Sequence, residues 1–424
     1  MNEQPQLLDD VGKCVNAAVS ISKRVLFVDD EQNILDGIKR TLYNMRSEWE
    51  MAFCVSAEEA LKTLEECEFD VIVTDMRMPG MSGSELLTEV LQRYPSMVRI
   101  VLSGTVEHDL VLRSATTAHQ YLVKPCDAST LRATLETALR IREILISPKL
   151  RSLVSRVTSL PSLPAVHAKL VESLENPEIS SREMGDIISQ DVGMTAKLLQ
   201  LANSAFFGLY RYVASPSEAA IYLGLDTIRA LTLSTGVFSA FHQSGAAEPF
   251  IGQLQRHSIK VGMLANIIAK RENLPKKLCD ASLIGGLLHD VGKLVLAANY
   301  PREYDEVLAV ANKEGSACHE IERQAFGATH AEIGAYLLWL WGLPDEMCKA
   351  VAFHHRPADC SVMSFTGAGA IHVADAFEYE TDGGSGLISR SLIDIDYLNT
   401  IDLVDHVPDW RQLRERFINR GEQA

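Results

Sequence analysis

The 424-residue sequence predicts a doubly wound, parallel α/β domain followed by an all-α domain. Three observations carry this. Short apolar runs at Val25–Val28, Val71–Val73, Ile100–Leu102 and Tyr121–Val123 lack polar alternation, as do strands buried on both faces of a parallel sheet. Between them, Ile34, Leu35, Ile38 and Leu42 share one helix face, as do Leu86, Leu87, Val90 and Leu91. After Pro148 the strand texture stops, and helical patterns separated by Pro or Gly breaks run to about residue 380.

Taken in order, residues 1–21 are polar and loosely patterned, and are expected to form a mobile arm. The α/β domain occupies 22–147. Asp127 stands where an N-cap belongs, before Leu131, Leu135 and Leu139, and opens a helix that could run through Leu145. Ser147–Pro148 interrupts that helix, because proline disfavours helical geometry in the residue before it. Residues 148–151 are expected as a linker and 152–385 as the all-α domain. Residues 386–424 form a helical extension patterned by Trp410, Leu413 and Phe417. The Gly-Gly-Ser-Gly at 383–386 suits a flexible loop.

Composition narrows the function classes. Hydrophobic residues make up 47% and charged residues 23%, an ordinary globular balance. Acidic side chains outnumber basic ones 56 to 40, for a formal charge of -16, and no Lys/Arg run is present. Direct nucleic-acid binding is therefore disfavoured. The longest apolar stretch, Leu283 to Ala298, is broken by His289, Asp290 and Lys293, and falls short of the ~20 residues of a membrane span. The first residues, MNEQPQLLDD, lack the basic-then-apolar order of a signal peptide. Eight scattered cysteines without a CxxC pair read as reduced thiols. A cytoplasmic protein without membrane association is expected.

The first chemical constellation lies at strand ends. Asp29 and Asp30 follow the first strand, Asp75 the third, Ser103 the fourth and Lys124 the fifth. Open parallel sheets gather functional groups at their carboxyl ends. Three crowded carboxylates require a cation, and oxygen ligands beside phosphate chemistry suit Mg2+. Lys124 can then place a charge on a phosphoryl group, Ser103 can donate a hydrogen bond to it, and Asp75 can be the nucleophile. The segments RVLFVDDE, VIVTDMRMPGMSG, RIVLSG and YLVKP closely resemble the receiver domain of two-component response regulators, over residues 22–146. The resemblance implies a five-stranded, flavodoxin-like domain with Asp75 as phosphoacceptor. It also implies Mg2+ held by Asp29, Asp30, Asp75 and the Arg77 backbone carbonyl. Ser103 and Tyr121 would form the switch pair, with Lys124 on the phosphoryl group. Ser103 takes a position often held by threonine and keeps its hydroxyl.

The second constellation lies in the helical half: His257, His289–Asp290, His330, His354–His355 and Asp375. Imidazole and carboxylate are what Fe, Mn, Zn or Ni would take. Lys293 follows Asp290 by one helical turn, where it could contact a phosphate. The His289–Asp290 pair puts two polar ligands inside an apolar helix, which only a metal or a hydrogen-bond network would satisfy. His242, His319 and His372 read as structural. These residues resemble the HD superfamily of metal-dependent phosphohydrolases. The preceding segments, including LANSAFFG, narrow the likeness to the HDOD (HD-related output) domain over roughly 152–380. That resemblance implies a non-catalytic module acting through protein contacts. On motif positions, His257, His289, Asp290 and Asp375 match a first metal, and His330, His354 and His355 would complete a second. The DGxGYP stretch of HD-GYP cyclic-di-GMP phosphodiesterases is missing. Arg356, Pro357, Ala358 and Asp359 follow His355 instead.

The sequence thus favours a response regulator in a phosphorelay. Asp75 would be phosphorylated by a partner histidine kinase or phosphotransfer protein, controlling an HDOD output through protein contacts or a phosphorylation-dependent homodimer. The rival reading is a receiver-gated HD phosphohydrolase acting on a nucleotide or cyclic dinucleotide. A third is an adaptor that binds a cyclic nucleotide without cleaving it.

Overall fold

The computed structural model describes residues 23–104, 117–144, 147–157, 179–203, 215–225, 247–360, 364–381 and 392–421, with isolated positions at 166–176, 213 and 228. The expected arm at 1–21, the glycine-rich loop at 383–386 and His242 lie outside them.

The N-terminal domain alternates β1 (Lys23–Val28), α1 (Gln32–Thr41), β2 (Trp49–Cys54), α2 (Ala57–Glu66), β3 (Val71–Thr74), α3 (Gly83–Arg93), β4 (Val98–Ser103), β5 (Gln120–Val123) and α4 (Ala128–Ile144). The five strands form one sheet in the order β2-β1-β3-β4-β5, and every pairing is parallel. Successive strand residues feed opposite cores. Val25, Phe27, Val71 and Val73 join one apolar cluster, whereas Leu26, Val28 and Ile72 join the other. That double burial is why these runs show no polar alternation. β2 is an edge strand with Glu50 exposed and its middle half-buried, so no apolar run announces it.

Asp127 does cap α4, accepting from the Thr130 N–H at 2.9 Å. The chain breaks at Ser147, but residues 148–151 are not an irregular linker. Ser147 caps a new helix, α5 (Pro148–Val154), with Pro148 in its first turn. Proline is unfavourable to the helix before it and well suited to the one after it, since its fixed φ is helical and its missing N–H would be unpaired there anyway.

The second half is helical: α6 (Ser181–Ile188), α7 (Val192–Asn203), α8 (Pro216–Leu223), α9 (Ala247–Arg271), α10 (Lys276–Leu288), α11 (Val291–Asn299), α12 (Pro301–Glu314), α13 (Cys318–Phe326), α14 (His330–Leu340), α15 (Asp345–Ala352), α16 (Gly367–Thr381), α17 (Ile395–Thr400) and α18 (Val407–Gly421). The stretch Lys276–Asn299 is long and apolar enough to cross a membrane by length and composition, but 83% of its apolar window is buried inside the fold. The last two helices share a core with α9 and α16. Trp410 is fully buried there, and its Nε1–H donates to Glu272 at 2.8 Å.

Among the described residues, contacts from β4 and β5 tie the halves together. Gln120, at the start of β5, donates its side-chain amide to the Trp339 carbonyl of α14 at 2.9 Å. Arg99 of β4 is buried and donates to four main-chain carbonyls, those of Pro95, Met97, Thr117 and Ser155, the last at 2.7 Å and beyond the Pro148 junction.

Candidate functional site

The acidic crevice is assembled at the carboxyl end of the sheet. The Asp75 N–H donates to the Val28 carbonyl at 2.9 Å, locking the ends of β1 and β3 side by side. The carboxylates of Asp29, Asp30 and Asp75 come within 4.8 Å of one another, close enough to share one cation. Lys124 Nζ lies 2.6 Å from Asp29 Oδ2 and 2.7 Å from Asp75 Oδ2. The Met76 N–H donates to Asp75 Oδ1 at 2.6 Å, so the carboxylate is oriented at both oxygens. Burial pushes the Asp29 carboxyl up, and Lys124 partly offsets this. Burial opposes the charge on Lys124, yet Asp29 and Asp75 raise its pKa. Arg77 is exposed two residues after Asp75, and Tyr121 is buried against the α2–α3 side of the sheet. Ser103 ends β4 as expected; its side chain lies outside the described residues.

The histidine pocket is built from helix ends. His289 closes α10 and Asp290 opens α11, so the pair sits at a break between two helices rather than inside one. Thr329 and Glu332 form a capping box that starts α14 at His330. His354 and His355 follow α15, while His257 and Asp375 project from within α9 and α16. Two close crossings bring these segments together. α9 meets α10 at Gly262 and Gly286, where a Cβ on Gly286 would lie 2.6 Å from the Gly262 Cα. α11 meets α14 at Gly292, where a Cβ would lie 2.0 Å from the His330 carbonyl oxygen.

All seven predicted ligands converge. His257 Nε2 is 3.0 Å from Asp375 Oδ1, and His289 Nε2 is 3.4 Å from Asp290 Oδ2 and 3.7 Å from Asp375 Oδ1. Asp290 turns its other oxygen to His330 Nε2 at 3.2 Å, and His330 Nε2 lies 2.9 Å from His355 Nε2. Asp290 thereby faces two ligand groups, His257–His289–Asp375 and His330–His354–His355. The tautomers are set from outside: the Nδ1–H groups of His289 and His354 donate to the Gly286 and Val351 carbonyls, both at 2.7 Å. Their Nε2 atoms, with His257 Nε2 and Asp290 Oδ1, are buried and make no well-aligned hydrogen bond. Buried polar atoms are rarely left so. Lone pairs converging on shared cations would account for the pattern, and the donor set is of a kind that first-row divalent metals take.

Charge agrees. Asp290, Asp375 and Glu322 bring three carboxylates, all buried, against the single ammonium of Lys293, leaving two negative charges for metals or protons to balance. Burial disfavours the ionised carboxylates, yet His289, Lys293, His330 and His257 hold them below their ordinary range. Without metal the protons go to imidazoles. Burial opposes it, but Asp290 and Asp375 push the His289 pKa up to about 10. Burial and neighbouring imidazoles hold His354 and His355 well below 6.5, in the neutral form a metal needs.

Lys293, a possible phosphate contact by sequence, lies 2.8 Å from Asp290 Oδ2 and is buried. His372 is structural as expected, donating from Nδ1 to the His354 carbonyl and accepting from the Asp394 N–H. His319 stacks on His355 with ring centroids 4.1 Å apart, and both line a surface cavity of about 410 Å³. Sequence reasoning missed Glu322, the buried carboxylate behind His330.

Both pockets fall within matches to known domain families, save that Asp375 lies beyond the second match. Residues 25–136 match the response regulator receiver domain, and residues 160–357 match the HDOD domain. The chain joins a receiver to an HDOD domain. Over 205 residues it is 29% identical to an uncharacterized protein of Treponema pallidum, covering 48% of this chain and 39% of that one. It is also 29% identical over 205 residues to the response regulator protein PilR of Pseudomonas aeruginosa, covering 44% and 46% respectively. It is 40% identical over 103 residues to the hydrogenase transcriptional regulatory protein HoxA of Cupriavidus necator, covering 24% and 21%. The chain thus spans less than half the length of these relatives. Among solved structures, the signal receiver domain of an HD domain-containing protein from Pseudomonas fluorescens is 29% identical, with 28% of this chain and 97% of that one covered and a TM-score of 0.28. The MmoQ response regulator from Methylococcus capsulatus is 24% identical, with 60% and 98% covered and a TM-score of 0.45. Receiver domains generally bind Mg2+ and HD-type domains bind metals, so both pockets of this receiver–HDOD chain are of a metal-binding kind.

Proposed function

We propose that this chain is a cytoplasmic, phosphorylation-controlled response regulator in which the receiver sets the state of the HDOD domain. The carrying observation is the position of α14. Its first residue, His330, stands in the histidine pocket, and its last turn, at Trp339, accepts the hydrogen bond of Gln120 from β5. A rigid helix of about 16 Å, at 1.5 Å per residue, therefore spans from receiver to pocket.

A histidine kinase or phosphotransfer protein would supply the phosphoryl group. An Asp75 oxygen forms the new P–O bond as the P–N bond of the donor's phosphohistidine breaks, and the electron pair leaves on the imidazole, which then takes a proton from water. Lys124 bridges Asp29 and Asp75 and offsets part of their charge before transfer, and can follow a phosphoryl oxygen after it. Mg2+, when held by Asp29, Asp30, Asp75 and the Arg77 carbonyl, would offset charge on the transferring oxygens. The Ser103 hydroxyl would donate to the phosphoryl group, and Tyr121 would repack beside it. Since a ligand shifts an equilibrium only through differential contacts, those with Ser103 and Lys124 must carry the change. The output would be contact with another protein or a second copy of this chain.

The test compares wild type with Asp75→Asn under phosphorylating conditions, reading oligomeric state, partner capture and hydrogen exchange along 330–340. Wild type should change and the variant should not. Identical behaviour of the two would exclude control through Asp75.

The completeness of the ligand set favours a second reading, a metal-dependent phosphohydrolase acting on a nucleotide or cyclic dinucleotide. Two equivalents of Fe or Mn in chelator-free protein, with phosphodiester turnover lost in His289→Ala, would support it. Metal without turnover would favour the contact-based output.

A further inference from the structure

Glu322 lies on α13, is fully buried, and has no counterpart among the seven predicted ligands. Its Oε2 accepts both the backbone N–H and the Nδ1–H of His330, each at 2.7 Å. Its Oε1 accepts the Tyr304 O–H at 3.1 Å and the Cys318 S–H at 3.4 Å. Four donors occupy the two oxygens, so Glu322 is directed at His330 and not at a cation. The contact fixes the His330 tautomer: the proton stays on Nδ1, and the Nε2 lone pair points to Asp290 and His355. His289 and His354 meet only neutral carbonyls at Nδ1. A carboxylate in that place makes an imidazole a stronger ligand than a carbonyl does.

We propose that Glu322 is the positioning residue of a second metal position formed by His330, His354, His355 and the shared Asp290, and that it sets the affinity there without touching the first position at His257, His289 and Asp375. This rests on the reading that the pocket holds two divalent metals. The Tyr304 phenol and Cys318 thiol occupy its far oxygen, whereas both bonds to His330 are made by the near one.

The experiment titrates the metal-free, full-length protein with Mn2+, counting bound equivalents and recording the electron paramagnetic resonance signal of a coupled Mn pair. Wild type should take two equivalents and show coupling. Glu322→Gln should keep the first equivalent at wild-type affinity, weaken the second by about 10–100-fold, and leave an uncoupled mononuclear signal. Tyr304→Phe, which spares both contacts to His330, should keep both equivalents. If the glutamine variant does not fold, Glu322→Asp retains the charge one methylene further back, and the same selective loss is expected. Two equivalents at wild-type affinity in the glutamine variant would overturn the proposal, as would equal weakening of both positions. A wild-type protein that binds no Mn2+ would overturn the two-metal reading itself, a result distinct from either.

Discussion

The two pockets solve the problem of concentrated negative charge differently. In the receiver, three carboxylates gather at adjacent strand ends with Asp30 exposed to solvent, and Lys124 bridges the two buried ones. In the HDOD domain, the carboxylates are fully enclosed and surrounded by imidazoles, with both faces of Asp290 engaged. A solvent-facing crevice at the carboxyl end of the sheet can exchange ions with little rearrangement. An enclosed pocket must be filled or protonated to be stable, so its charge state is bound up with the fold. The first arrangement suits a site whose contents change readily, and the second one whose contents are held by the fold.

The contrast can be broken most severely at Asp290. Asp290→Asn should abolish both metal equivalents and destabilise the helical domain by about 3–5 kcal/mol, because His289, His330 and Lys293 lose their shared buried counter-charge. Phosphorylation at Asp75 should survive. Elemental analysis, thermal melting and phosphoryl incorporation would check the three parts.

Lys124→Ala is the receiver's equivalent, and its expected cost is smaller. Asp29 and Asp75 would lose their shared cation at a crevice that water can enter, for about 1–3 kcal/mol. Phosphorylation from a small-molecule donor should slow while HDOD metal content stays at the wild-type value.

A pH series sharpens the difference in charge balance. The metal-free His289 pKa is raised to about 10, so the stability from its proton is fully present below about 6.5 and lost as pH rises through about 10. In chelator, the urea midpoint of the helical domain should therefore fall between pH 7 and 10.5. Added Mn2+ should remove the fall, because metal replaces the proton.

The smallest effect is expected between the domains. Gln120→Ala removes one hydrogen bond to Trp339, worth about 1 kcal/mol. It should leave phosphorylation and metal content intact while reducing any phosphorylation-dependent change in hydrogen exchange along 330–340. An undiminished change would place the coupling elsewhere, with the Arg99–Ser155 contact the next to test.

Much of this is legible in the sequence. The apolar runs located four of five strands because residues buried on both faces need no alternation. The fifth, Trp49–Cys54, is silent because Glu50 is exposed and the middle of the strand is only half-buried, whereas β5, the other edge strand, has Tyr121 and Leu122 buried. Asp29, Asp30, Asp75 and Lys124 were readable as a group, since a parallel sheet delivers strand ends to one place. The histidine ligands were readable as a motif, though their geometry was not. Ser147–Pro148 reads as a break and is one, but the following residues turn helical because proline favours a first turn. Glu322 went unnoticed on a charged helix. Its signal was its place one turn after Cys318, on the face that proves to be buried.

The sequence alone determined where the chain alternates strand with helix, where it becomes wholly helical, and which residue types could hold a phosphoryl group or a metal, because these follow from local periodicity and side-chain chemistry. The tertiary structure alone decided that seven ligands share one enclosure, that Lys293 faces Asp290, that Glu322 stands behind His330, and that α14 reaches from that enclosure to the receiver. Such facts depend on helix crossings between residues far apart in the chain. Crossings as close as Gly262 with Gly286 and Gly292 with the His330 carbonyl are set by three-dimensional packing, which one-dimensional spacing does not encode.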